Sequence, residues 1–314
     1  MRTPLFLVIW LGIAAAIFGL AVASGNDYVF FAGYVVLQYV VLATAWNILG
    51  GYCGYVNFGS AAFFALGAYS TVAMHKLYPL PVPLLIVIGG IVSGIVGLGM
   101  GYLTLRLRGA FFAIATLALA VVLQTLIVNW DFVGGSRGAY IVRPEAIAPF
   151  GSYIKYLFML MMLVAIGAIT LARLIERSRL GYGFATIRDD ELAAEASGVP
   201  TLRLKLTAAA ISGALMGMAG APFPYYIGFL QPSSTFGLDY AINSIAMPLI
   251  GGTTAWFGPV LGALLLGIAQ QVVTVTISSE VNLLIVGLLL IGFVVLAPQG
   301  LIGMLGLTGR RRSG

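Results

Sequence analysis

The sequence carries little charge and few of the side chains that enzymes use. Only 8% of its 314 residues are Asp, Glu, Lys or Arg, against roughly 25% in a soluble domain. Its single cysteine, Cys53, cannot close an intramolecular disulfide, and its single histidine, His75, has no partners for a metal site or a catalytic triad. The sequence also contains no G-x-x-x-x-G-K-[ST] nucleotide-binding motif. These absences exclude a soluble enzyme, and we expect no catalytic residue, no metal and no cofactor.

Apolar side chains make up 61% of the chain, and the mean hydropathy is +1.04. The apolar runs are continuous, so they predict an all-α polytopic membrane protein and not a transmembrane barrel. Charged, Gly/Pro and polar interruptions divide them into about ten transmembrane helices. The predicted spans are Leu5–Ala23, Tyr28–Leu49, Ala61–Met74, Pro83–Leu105, Ala110–Trp130, Tyr153–Ala172, Leu206–Ile227, Tyr240–Ile250, Pro259–Ile277 and Val281–Ala297.

Three of these spans need comment. The third and the eighth are short for a hydrocarbon layer of about 30 Å, so they are expected to be half-helices, re-entrant segments or partners of a tilted neighbour. The first span resembles a signal peptide, but its apolar stretch of 19 residues exceeds the 7–15 or so of a signal sequence. We therefore predict that the first span is retained.

Basic residues predict the orientation of the chain in the membrane. Ten spans place both termini on one side, where twelve Lys and Arg residues fall, and only four lie on the other side. The positive-inside rule then makes both termini cytoplasmic. The basic loops account for the net charge of +6, and we expect them to contact anionic membrane lipid. They are not gathered on one folded face, so no binding of nucleic acid is expected.

Five spans precede a polar external stretch and five follow it, which favours a 5+5 inverted repeat within a single transmembrane domain, residues 1–314. The first repeat covers about 5–130, the external loop about 131–152 and the second repeat about 153–300. The segment from Gly50 to Ser60 interrupts the first repeat with four glycines and several polar groups. It either lines a translocation path or forms an interfacial turn, and the sequence leaves both interpretations open.

The most polar part of the chain is the cytoplasmic loop at about 173–205. Within it, Asp189 is a candidate helix cap, Asp190 and Glu191 suit a helix N-terminus, and Gly198 followed by Pro200 ends the helix. The predicted helix has about two turns and few large apolar residues. It is either a solvated linker or a helix that a partner covers.

The residues Glu191 to Gly198 resemble the EAA-type loop of ABC importer permeases, and the whole chain resembles the LivM-type permeases of branched-chain amino-acid importers. The stretches that carry this resemblance are Gly51–Tyr69, Arg108–Ala120, Gly134–Gly138, Arg179–Gly220, Gly251–Thr253 and Phe257–Gly262. Family members often have His at the position of Ser60 and Asp at the position of Arg137, and both departures leave the solute open.

The resemblance implies a permease in the bacterial inner membrane, with two ATP-binding subunits, a second related permease and an external substrate-binding protein as partners. It assigns coupling to the ATP-binding subunit to Asp189, Asp190, Glu191, Ala193, Ala194, Glu195 and Gly198. The external motif of the resemblance contains Ser136 and Arg137. Arg137 either attracts a carboxylate-bearing solute or shapes the docking face for an external partner, and we predict that Ser136 and Arg137 dock the binding protein.

Polar residues inside the predicted spans are neutral, which suits a small zwitterionic or neutral solute and argues against ion coupling. We predict that the translocation path includes Asn57, Gly59, Ser60 and Thr116. Branched-chain amino acids are the solute that the resemblance favours. The alternative function is an ATP-independent secondary transporter or channel for a small solute.

Overall fold

A computed structural model describes residues 3–142, 150–276 and 300–304, together with the single positions 284, 287, 288, 291 and 292. The α-helices of these residues are α1 Thr3–Ala23, α2 Asp27–Asn47, α3 Ser60–Leu77, α4 Val82–Thr104, α5 Ala110–Val128, α6 Tyr153–Glu176, α7 Arg179–Asp189, α8 Glu191–Ala196, α9 Thr201–Gly220, α10 Phe223–Ile227, α11 Pro232–Thr235, α12 Leu238–Gly251, α13 Phe257–Thr276 and α14 Gly300–Met304. A π-helical turn, Ile48–Tyr52, follows α2, and two 3₁₀ turns, Asp131–Val133 and Gly135–Arg137, follow α5.

Seven helical segments among the described residues are long and apolar enough to cross a membrane. They are Thr3–Ala23, Asp27–Tyr52, Val82–Thr104, Ala110–Val128, Tyr153–Glu176, Thr201–Ile227 and Phe257–Val275. The prediction of an all-α polytopic membrane protein is therefore confirmed. The count of ten spans, the inverted repeat and the cytoplasmic termini stay predictions, and most of the tenth predicted span, Val281–Ala297, lies outside the described residues.

Helices occupy the other nine predicted spans, and the two short ones differ from each other. The helix α12 has 14 residues, which at 1.5 Å per residue gives a length of about 21 Å, well below the hydrocarbon thickness. The helix α3 has 18 residues and is longer than predicted, because His75 and Lys76 continue it. Basic side chains favour the negative end of the helix dipole, so their polarity does not end the helix.

Glycines bring α3, α4 and α9 into backbone contact at the centre of the fold. A Cβ atom on Gly67 would lie 2.0 Å from the carbonyl oxygen of Gly217, and a Cβ on Gly217 would lie 2.4 Å from the carbonyl oxygen of Gly89. Beside them, the Ser93 hydroxyl donates a hydrogen bond of 2.9 Å to the carbonyl of Phe63. Small residues thus set the distance between helices here, as in other membrane proteins.

A two-stranded antiparallel pairing lies at the end of the bundle opposite α7 and α8. Strand β1, Ala139–Tyr140, pairs with β2, Phe229–Leu230, so that Ala139 faces Leu230. The stretch that follows α5 is thereby tied to the stretch that follows α10.

The glycine contacts predict a strong effect of one methyl group. Gly217→Ala should destabilise the purified protein by about 1–3 kcal/mol, because the new atom meets backbone that cannot rotate away. Thermal unfolding in detergent measures this as a lower Tm. The matched control is Gly99→Ala in α4, where nothing lies within 4 Å of an added Cβ. Equal Tm values for the two variants would contradict the prediction.

Candidate functional site

Two consecutive helices, α7 and α8, lie between α6 and α9. The Ser178 hydroxyl caps α7 by accepting hydrogen bonds from the N–H groups of Leu180 and Gly181. The Asp190 carboxylate caps α8 by accepting one from the N–H of Ala193 at 3.1 Å. The predicted cap, Asp189, is wrong by one residue, because Asp189 is still the last residue of α7.

The helix α7 was not predicted, and its residues were expected to form part of the cytoplasmic loop. The signal was present, since Leu180, Phe184 and Ile187 recur at the spacing of one helical face. Phe184 and Ile187 are buried, which explains why so polar a segment is held in place.

Gly198 ends α8 as predicted. Its φ is +81°, a conformation that glycine adopts without steric cost, and its N–H donates to the carbonyl of Glu195 at 2.9 Å. The N–H of Val199 returns to the carbonyl of Ala194 at 3.0 Å, so the last turn is closed.

The residues predicted to couple to a partner divide between two faces of this helix pair. Asp189, Asp190, Ala193, Glu195 and Gly198 are exposed, and the structure places Ala194 and most of Glu191 inside. The exposed face also carries Leu192, whose side chain is 63% exposed. Leu192 was not among the predicted residues.

The Glu191 carboxylate lies in a buried network of charged and polar groups. Its Oε1 accepts a hydrogen bond from Lys205 Nζ at 2.6 Å, and its Oε2 accepts one from the hydroxyl of Tyr55. Arg108 Nε lies 3.3 Å from the same Oε2, and Lys205 Nζ also donates to the carbonyl of Leu105 at 2.8 Å. Lys205 is only 3% exposed, so its bond to Glu191 joins α8 to α9 away from water, whereas the Arg108 side chain is half-exposed.

Ionised partners keep the Glu191 carboxylate charged. Burial by itself would raise its pKa, but the hydrogen bonds from Lys205 and Tyr55, with the positive charges of Lys205 and Arg108, outweigh burial and hold the pKa below its usual value. Burial and the neighbouring carboxylate raise the pKa of the Tyr55 hydroxyl, so it remains a donor.

The interrupted segment between α2 and α3 is mostly buried in the protein. After the π-helical turn, the N–H of Tyr55 donates to the carbonyl of Leu49 at 3.1 Å. The indole N–H of Trp46 donates to the carbonyl of Asn57 at 2.9 Å. The segment thus satisfies backbone groups that have left the helix, as a membrane protein requires.

The predicted path residues meet at the start of α3. The Asn57 side chain accepts the N–H of Gly59 at 2.7 Å, and the Thr116 hydroxyl accepts the N–H of Phe58 at 3.2 Å. The hydroxyls of Ser60 and Ser244 are 2.8 Å apart. Asn57, Ser60 and Thr116 are each at most 3% exposed, so their polar atoms bind other groups of the chain in this conformation.

A cavity of about 360 Å³ lies beside the network, between the interrupted segment, the start of α5 and the α7–α8 pair. Tyr55, Arg108, Phe112, Arg188 and Glu191 are among the residues that line it. A second connection to the same segment comes from Glu176, whose Oε2 accepts the N–H of Trp256 at 2.7 Å and the Tyr52 hydroxyl at 3.5 Å. Neither cluster was predicted from the sequence.

The predicted docking residues Ser136 and Arg137 are exposed on the second 3₁₀ turn. Gly134 and Gly138 flank this turn with φ values of +100° and +80°. A Cβ on Gly138 would lie 2.6 Å from the carbonyl oxygen of Leu230, so the turn sits directly on β2. Among the described residues, no group of three or more His, Cys, Asp or Glu side chains is placed to hold a metal ion.

The apolar helices form the bundle of a multi-pass membrane protein. The helix pair α7–α8 at one end of this bundle exposes a polar surface. Residues 28–294 match the family described as branched-chain amino acid transport system, permease component, and the chain belongs to that family. The protein is therefore a permease of an ABC importer, the first of the two functions that the sequence suggested.

Individual relatives support the assignment. The chain is 27% identical to the high-affinity branched-chain amino acid transport system permease protein LivM of Salmonella typhimurium, over 97% of this chain and 76% of that protein. It is 26% identical to a probable branched-chain amino acid transport permease protein LivH of Methanocaldococcus jannaschii, over 79% and 83%. It is also 30% identical to an autoinducer 2 import system permease protein LsrC of Enterobacter sp., over 72% and 65%. No solved structure matches the chain.

Removing one member of the buried network should be costly. Lys205→Met leaves the Glu191 carboxylate without its nearest cation, and we expect a loss of about 3 kcal/mol in the free energy of unfolding. Thermal unfolding of the purified protein measures the loss, and Arg203→Met, an exposed position on the same helix, is the matched control. The double variant Lys205→Met/Glu191→Met should recover most of the stability. A double variant no more stable than Lys205→Met would contradict a charge-based cause.

Proposed function

We propose that this chain is the permease subunit that carries branched-chain or related amino acids across the bacterial inner membrane. Its partners are two ATP-binding subunits, a second related permease and an external substrate-binding protein. The observation that carries the proposal is the α7–α8 pair. Both helices have capped N-termini, and buried contacts hold the pair against the bundle. Since the sequence has no nucleotide-binding motif of its own, such a surface is suited to receive movement from separate subunits.

The exposed face of α8 is the proposed contact with an ATP-binding subunit. It combines the apolar Leu192, the small Ala193 and the acidic Glu195 of α8, and Asp189 at the end of α7 lies next to it in the chain. Small side chains allow close approach, while the charges fix the orientation of the partner. ATP binding closes the partner subunits, α8 moves with them, and α6 and α9 transmit the movement to the translocation path.

The proposed translocation path passes the start of α3. Asn57, Gly59, Ser60 and Thr116 supply neutral hydrogen-bonding groups there, which suits a zwitterionic solute that must bind weakly and leave. Movement of the interrupted segment would free these groups from their present partners. The relatives named for branched-chain amino acids support the choice of solute.

The function is tested with the assembled importer in proteoliposomes. Purification of the tagged chain should bring ATP-binding subunits and a second permease with it. The vesicles should then take up leucine only when ATP and the binding protein are both present. Uptake by the chain alone, without ATP, would contradict the proposal.

The docking face predicts a specific loss of partners. Leu192→Asp places a charge where an apolar contact is proposed, and it should reduce the yield of co-purified ATP-binding subunits at least about tenfold, since a desolvated charge costs more than 1.4 kcal/mol. The conservative control Leu192→Met keeps the surface apolar and should keep the yield. Because the side chain is exposed, the Tm of the permease should not change in either variant.

The proposed docking of the binding protein at Arg137 leads to a second prediction. Arg137→Glu should raise the concentration of binding protein that half-maximally stimulates ATP hydrolysis by about tenfold, because reversing a rim charge weakens association. Arg137→Lys retains the charge and is the control. An unchanged half-maximal concentration in Arg137→Glu would remove Arg137 from the docking surface.

A further inference from the structure

Glu191 has its carboxylate turned away from the exposed face of α8. Both of its oxygens are occupied, one by Lys205 Nζ and the other by the Tyr55 hydroxyl and the guanidinium of Arg108. Hydrogen bonds between charged groups are roughly twice as strong as neutral ones. A group engaged in this way is poorly placed to bind a second protein.

Tyr55 belongs to the interrupted segment, 136 residues before Glu191 in the chain. Its ring packs edge-on against Phe112 with centroids 5.0 Å apart, and Lys205 Nζ lies 4.8 Å from its centroid. The hydroxyl also accepts a hydrogen bond of 3.1 Å from Lys205 Nζ. Tyr55 is therefore fixed to α8 through its hydroxyl and to the bundle through its ring.

The segment that follows Tyr55 is short and already constrained. Asn57 is two residues further on, bound through its carbonyl to Trp46, and α3 begins at Ser60. A displacement of Tyr55 cannot be absorbed by slack in so short a stretch. It must shift Asn57 and the first turn of α3, where the proposed path residues lie.

We propose that Glu191 is a positioning residue that links the coupling helix to the translocation path through the hydroxyl of Tyr55. Movement of α8 pulls the interrupted segment directly, in addition to moving α6 and α9. In this arrangement Glu191 does not touch the ATP-binding subunit. The inference rests on the proposed function, since it describes how that function is coupled.

The chain offers a closely matched pair of variants. Tyr55→Phe deletes the hydroxyl that joins the interrupted segment to Glu191 of α8 and to Lys205 of α9, and it leaves the ion pair of Glu191 with Lys205. Thr201→Val deletes a hydroxyl that also bonds to α8, through Glu195 Oε1 at 2.6 Å, but this bond leads to α9 and not to the segment. A general effect of losing one hydroxyl bond to α8 should appear in both variants. An effect of the link to the interrupted segment should appear only in Tyr55→Phe.

The native Cys53 reports on the segment in the permease alone. It is the only cysteine in the sequence, lies two residues before Tyr55 and is 1% exposed. Loss of a hydrogen bond to a charged group should raise its rate of labelling by a maleimide at least about tenfold in Tyr55→Phe. Thr201→Val should stay within about twofold of wild type. Equal labelling in Tyr55→Phe and wild type would overturn the link.

The second readout is coupling in the assembled importer. Tyr55→Phe should co-purify with ATP-binding subunits as wild type does, hydrolyse ATP, and transport about tenfold less solute per ATP, whereas Thr201→Val should keep the wild-type ratio. A parallel loss of bound subunits in Tyr55→Phe would overturn the proposal, because the network would then only shape the docking face. If wild type itself binds no ATP-binding subunit, the proposed function fails, and Cys53 labelling still decides whether the link exists.

Discussion

Backbone that leaves a helix inside a membrane protein must find all its hydrogen-bond partners within the protein, and the stretch between α2 and α3 depends on this requirement. Trp46 and Leu49 supply partners from the end of α2 and its π-helical turn, and Thr116 supplies one from α5. Two of these bonds fix the stretch to the end of α2 and its π-helical turn, and the third fixes it to α5. These bonds satisfy the backbone of the stretch, and they also connect any movement of the stretch to the helices that it binds.

The helix α8 illustrates how six residues can serve two surfaces. Leu192 and Ala193 face outward, while Ala194 and the Glu191 carboxylate face the bundle. A buried ion pair adds little net stability over an apolar contact of the same shape, but it favours one geometry because its partners must be aligned. The pairing of Glu191 with Lys205 is therefore better understood as orienting α8 than as stabilising the fold.

Local patterns in the sequence predicted much of the fold but little of the contact network. Apolar runs located nine helices, and Gly198 followed by Pro200 located the end of α8. The polar composition around Arg179 hid the amphipathic spacing of α7, and adjacent aspartates made the cap ambiguous by one residue. The link from Glu191 to Tyr55 joins residues 136 positions apart, so no local pattern contains it. The same holds for Glu176 and Trp256, which are 80 positions apart.

The pairing of β1 with β2 helps to connect the two ends of the molecule. Strand β2 directly follows α10, α10 continues α9, and α9 begins beside α8. The segment Thr201–Ile227, in which only Ala221 and Pro222 separate α9 from α10, thus connects α8 at one end of the molecule with β2 at the other. Because β2 pairs with β1 and lies against Gly138, the same segment is also joined to the turn of Arg137. If the two ends are coupled through this segment, binding at either end changes the affinity at the other by the same free energy.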